Sequence, residues 1–76
     1  KDAERARRRE ERLAAEALRR VEEEIAWAEA RKAELEQLLG DPELYRTPGG
    51  CEVTLEYRSL LTELERLYAE WERLVP

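Results

Sequence analysis

The chain has 76 residues, with 14 Lys or Arg against 19 Asp or Glu, a formal net charge of −5, no histidine, no methionine and one cysteine. This length holds roughly one small domain, and a domain of about 60 residues buries only about 60% of its unfolded surface, which leaves no room for a separate catalytic domain with a deep pocket. Without histidine there is no Ser-His, Cys-His or His-metal site, and one cysteine makes neither an internal disulfide nor a CxxC site.

No apolar run approaches the ~18 residues of a membrane span, so no membrane role is expected. No signal-peptide pattern is present either. The sequence opens on Lys1 rather than methionine. It therefore reads as a piece of a longer cytoplasmic protein whose chemistry lies elsewhere.

Glycine and proline divide the chain. Gly40, Pro42, Pro48, Gly49 and Gly50 fall in one window, and both flanks are rich in Ala, Leu, Glu and Arg, all strong helix formers. A helix is expected from about Asp2 to Leu39, a connector over 40–50, and a second helix from about Cys51 to Leu74 or Val75. In the first helix Leu18, Val21, Ile25, Ala28, Lys32, Leu35 and Leu39 step by three and four. In the second, Val53, Tyr57, Leu60, Leu64, Leu67, Trp71 and Leu74 do the same, with Leu61, Tyr68 and Val75 widening the stripe. Both are heptad seams.

The fold expected is all-α, a two-helix antiparallel coiled-coil hairpin with a short helical turn in its connector. Closing the hairpin sets Leu39 near Val53, Leu35 near Tyr57, Ala28 near Leu64 and Val21 near Trp71, with Trp71 in the core. Lys32 is the charged member of the seam, and its ammonium is expected to reach outward to a glutamate. The first helix outruns the second, so residues 1–14 form a charged overhang and residues 15–76 the hairpin proper.

In the connector, Gly40 suits a left-handed position after the first helix. Asp41 suits an N-cap, with Pro42 opening a short turn over Pro42–Tyr45. Leu44 and Tyr45 are expected to lid the core. Thr47-Pro48 is expected to cap the second helix, while Gly49-Gly50 weakens its first turn and shifts the start toward Cys51. Cys51 has no second cysteine beside it and carries no functional assignment. Glutamate runs such as Glu22-Glu23-Glu24 spread around a helix and form no metal cage.

The run Leu39-Gly40-Asp41-Pro42-Glu43-Leu44-Tyr45, and the end of the second helix with Tyr68, Trp71, Glu72 and Leu74, resemble the C-terminal coiled-coil domain of ABC-F ATPases, the Uup-like group in particular. The resemblance covers about residues 15–75 and rests on the DPxLY turn and the LYxxWexL ending. It implies a soluble parent with two ATP-binding cassettes and no membrane domain. That parent would act on ribosomes or be associated with DNA, with a helical hairpin that contributes to nucleic-acid binding. ATP and Mg would belong to the parent's ATPase domains, which are partners within the same chain, and no cofactor to this segment. The matching residues Asp41, Pro42, Leu44, Tyr45 and Trp71 look structural.

Nucleic-acid contacts must therefore be argued from charge. Residues 1–20 hold eight basic and five acidic side chains, a balance of +3, and residues 21–76 hold six and fourteen, a balance of −8. Arg5, Arg8, Arg9 and Arg12 fall at helical spacings that share one face, followed by Arg19 and Arg20. Arginines so placed suit bidentate pairing with phosphates. The plainer account is a solvated helix held by pairs such as Glu4–Arg8 and Glu16–Arg19. Trp27 lies outside the seam, on a face with Leu13, Arg20, Arg31 and Glu34, and suits a neighbouring stem, another part of the parent, a base or a docked partner.

The expected function is a nucleic-acid-binding accessory domain, for DNA or for ribosomal or transfer RNA, that is not itself an enzyme. The alternative is a protein-interaction coiled coil, with a homodimer formed through the overhanging first helix. A helical arm of an aminoacyl-tRNA synthetase is a third, weaker reading.

Overall fold

The computed structural model describes residues 1–76 as two helices and a connector. Helix α1 spans Asp2–Leu39, a short 3-10 turn spans Pro42–Arg46, and helix α2 spans Gly49–Leu74. No strand is present. The α1 boundaries are those expected from composition and seam. Asp2 and Glu4 place negative charge in its first turn, where the helix dipole favours it.

The two helices lie side by side as a hairpin. As the α2 partner advances from Glu56 through Tyr57 and Tyr68 to Trp71, the α1 partner retreats from the Arg31–Glu36 turn through Glu29 to Glu22. The polar links of Tyr57 and Trp71 land one residue beyond Leu35 and Val21, their partners in the seam register. Ala28, Leu35, Leu60, Leu64 and Leu67 form one buried cluster, with Ile25, Val53 and Tyr57 packed partly against it. Val21 is buried as well. The Lys32 ammonium leaves the seam and sits 3.7 Å from Glu29.

The molecule is a rod of 66 × 17 × 15 Å with a radius of gyration of 18.5 Å. A compact domain of this length would have a radius near 11 Å. Two helices enclose only a narrow seam, so few side chains reach full burial. That narrowness corrects three expectations. Leu61 and Tyr68 stay exposed at the margin instead of widening the core. Trp71 is half-buried, with its indole N–H donating to Glu22 at 3.1 Å. An indole is too large to vanish between two helices, and its N–H needs an acceptor.

One margin of the seam has a regular polar edge. Tyr57 donates to Glu36 at 2.9 Å, Tyr68 to Glu29 at 3.3 Å, and Trp71 to Glu22. These glutamates recur every seven residues of α1, so each heptad carries one acceptor along the same side. The Glu36 carboxylate holds the Tyr57 phenol above its usual titration range.

On the other margin Arg31 spans the helices. Its guanidinium donates to both Glu56 oxygens, at 2.6 and 2.9 Å, and to Glu34 at 2.8 Å. The hydrogen bonds from Arg31 depress the Glu56 pKa. A depressed carboxylate contributes stability that is present above its unfolded value, near 4.3, and is lost as pH falls through the folded value. Thermal melts of the wild type between pH 6 and pH 3 should therefore fall more steeply than those of Glu56→Gln. Parallel curves would show that this pair contributes nothing across that range.

The connector departs from expectation at several points. Gly40 is not left-handed: it has φ −78° and ψ −9°, and its N–H reaches the carbonyls of Glu36 and Gln37 at 3.1 and 3.2 Å. The chain turns instead at Asp41, whose extended backbone redirects it and whose side chain accepts the Glu43 N–H at 3.0 Å, the expected N-cap. Tyr45 does not lid the core. It is 65% exposed, and its hydroxyl donates to the Leu39 carbonyl at 2.9 Å, satisfying a carbonyl at the end of α1.

Thr47 does not cap α2 with its side chain either. Its hydroxyl turns back to the Leu44 carbonyl at 2.8 Å. Helix α2 begins at Gly49 rather than Cys51, behind Pro48 as N-cap.

Candidate functional site

The N-terminal third of α1 is held helical by local chemistry alone. Ala, Glu and Arg are strong helix formers, and Arg8 sits 3.5 Å from Glu4 one turn away. Helix α2 ends beside it: Leu74 and Pro76 border one surface depression together with Glu11, Ala14, Ala15 and Leu18.

At about 100° per residue, Arg5, Arg8, Arg9, Arg12, Arg19 and Arg20 fall within an arc of about 120° on the side of α1 opposite the Leu18–Leu35 stripe. All six are exposed. Arg5, Arg8, Arg9 and Arg12 border one shallow surface depression together with Asp2 and Ala6. Arg19 and Arg20 stand further along the helix and do not border it. Of the six, only Arg8 and Arg19 take part in ion pairs, and Arg19 pairs with Glu23 at 3.9 Å rather than with Glu16. The pair runs forward along the helix, a turn nearer the acidic body. Such exposed pairs are weak, so the guanidinium groups remain available to an anionic partner.

A second feature surrounds Trp27, which is 67% exposed. With Ala28, Leu60 and Leu67 it lines an apolar groove between the helices, bounded by Glu24 and Glu63. On its far side Trp27 also lies beside Ala30, Arg31 and Glu34. The sequence singled out Trp27 but not the groove. Leu60 and Leu67 read as core residues and are buried, and only the pairing of the helices reveals that the indole lies over the edge of that core. Glu24, three residues before Trp27, was the available local signal.

No group of acidic or cysteine side chains is arranged to hold a metal ion. Cys51 is exposed and unpaired. No helix is long and apolar enough to cross a membrane.

The protein-family model described as the ABC transporter C-terminal domain matches residues 6–75. No curated protein and no solved structure matches the chain.

Proposed function

The chain belongs to the ABC transporter C-terminal domain family, and from that premise we propose that it is the nucleic-acid-contacting accessory domain of a cytoplasmic ABC-F ATPase of the Uup-like group. The segment itself is not the enzyme; ATP and Mg act in cassettes elsewhere in the parent. Arg5, Arg8, Arg9 and Arg12 are the principal phosphate contacts, with Arg19 and Arg20 extending the track.

The observation that carries this reading is the exposed arginine face of α1, turned away from the hairpin seam. A duplex or folded RNA could lie along it without disturbing the core. The −8 balance of residues 21–76 repels phosphate, so the domain alone binds weakly and with strong salt dependence. Residues 1–14 act as the contacting extension and residues 15–76 as the support that presents it.

The test is fluorescence anisotropy with DNA and with RNA at two salt concentrations, beside a variant with Arg5, Arg8, Arg9 and Arg12 changed to alanine. These side chains are exposed, so the variant should keep its helicity. Wild type should bind more tightly, and losing four contacts should flatten the log–log salt slope by up to about 3.6. Equal binding by the two proteins would refute the arginine assignment. The protein-interaction reading gains its support from the exposed Trp27 groove, and it would stand alone if neither protein bound.

A further inference from the structure

We infer that Trp27 is a stacking site for an unpaired base of a nucleic acid lying on the arginine face. This rests on the nucleic-acid reading and narrows its substrate to strands or junctions with unpaired bases beside the bound phosphates. Trp27 stands on the same helix as the six arginines and on the same side of it. Arg9 and Trp27 are 18 residues apart, which is five full turns, so both point the same way from α1. Arg20 falls within about 20° of that line and about 10.5 Å nearer the N-terminus than Trp27. A phosphate chain that follows the arginines from Arg9 to Arg20 is therefore directed at the indole.

The indole is open to a planar ligand. It is 67% exposed, and it borders two separate surface depressions. One of them is formed by α1 alone, with Ala30, Arg31 and Glu34 as its other borders. Ala30 offers only a methyl group there, and the Arg31 guanidinium is drawn across to Glu56 on α2.

The charges around the ring suit a base rather than a phosphate. Glu23 is paired with Arg19, Glu34 with Arg31 and Glu63 with Arg66, while Glu24 has no ion pair. A phosphate gains nothing in this setting, whereas an uncharged base stacks on an aromatic ring whatever its identity. Basic side chains that track the backbone, followed by an aromatic ring, are the combination by which proteins hold single strands. A stacked strand with about 3.4 Å between phosphates places about three nucleotides between Arg20 and Trp27. Bases inside a duplex are already stacked on their neighbours, so an unpaired or terminal base is the one that reaches the ring.

Fluorescence anisotropy with two labelled probes tests the inference. Both are the same DNA duplex carrying a short single-stranded tail, but in one the tail is abasic, so phosphate number is equal. Wild type should bind the probe with bases in its tail about tenfold more tightly. Trp27→Ala should lose that preference and keep wild-type affinity for the abasic probe. Its thermal melt should be unchanged, because the indole is exposed. Trp27→Phe should keep most of the preference. Equal affinity of wild type for the two probes, or a preference that survives Trp27→Ala, would overturn the inference and leave Trp27 to a protein partner. Binding to the abasic probe would then still uphold the arginine reading. No binding to either probe would overturn both.

Discussion

Replacing Leu64 by aspartate should unfold the hairpin. Leu64 is 5% exposed and sits within the Ala28–Leu35–Leu60–Leu67 cluster, which supplies most of the burial between the helices. The substitution removes a leucine side chain and puts a carboxylate where no cation waits. Core truncation costs about 2–5 kcal/mol, and burying an unpaired charge adds to that. A chain of this size has a total stability of about 4–11 kcal/mol. Far-UV circular dichroism should show reduced helicity and no cooperative melt. Leu55→Asp is the control: Leu55 lies on the same helix but is 59% exposed, so its change should stay within about 0.5 kcal/mol. A normal melt for Leu64→Asp would mean that the seam is wrongly placed.

Gly50→Ala should destabilise the protein, whereas Gly49→Ala should not. Helix propensity predicts a gain at both sites, since alanine exceeds glycine by about 1 kcal/mol inside a helix. The packing differs between them. A Cβ on Gly50 would meet the Leu44 carbonyl oxygen at 2.7 Å and its carbon at 3.3 Å, both backbone atoms of the 3-10 turn. Relief requires moving that turn off the start of α2, and overpacking of this kind costs about 1–3 kcal/mol. A Cβ on Gly49 meets only the Thr47 hydroxyl, at 3.8 Å. Chemical denaturation of the two variants should therefore place Gly49→Ala at or above wild type and Gly50→Ala below it. If both stabilise, the turn does not dock on α2 as the structure has it.

The glycine pair also marks where sequence reasoning fell short. Propensity treats Gly49-Gly50 as a weak first turn, which moved the expected start of α2 two residues late. In the fold, Gly50 is buried against the backbone of Leu44, and a residue with no side chain is what lets the 3-10 turn pack there. The N-cap at Asp41 was legible because it depends on atoms two residues apart. The link from Tyr45 to Leu39 was not, since it depends on the direction in which the chain leaves α1.

The candidate site divides in the same way. The arginine face follows from helical spacing alone; that Arg5, Arg8, Arg9 and Arg12 also border one shallow depression was not part of that expectation. The Trp27 groove could not be read from either helix separately, because its floor comes from both. The seven-residue recurrence of Glu22, Glu29 and Glu36 was present in the sequence, but its meaning appears only when Trp71, Tyr68 and Tyr57 arrive from α2 as donors.

The sequence by itself determined the two helices, the hairpin register and the split of a −5 total into a +3 arm and a −8 body. Each depends on residue identity at a fixed local spacing, or on a count along the chain. Tertiary structure decided which seam positions are buried, which glycine has no room for a side chain, and that the groove beside Trp27 forms between the two helices. Those outcomes depend on how closely two surfaces approach, and a two-helix rod encloses so narrow a volume that a position one residue from the seam axis remains in water.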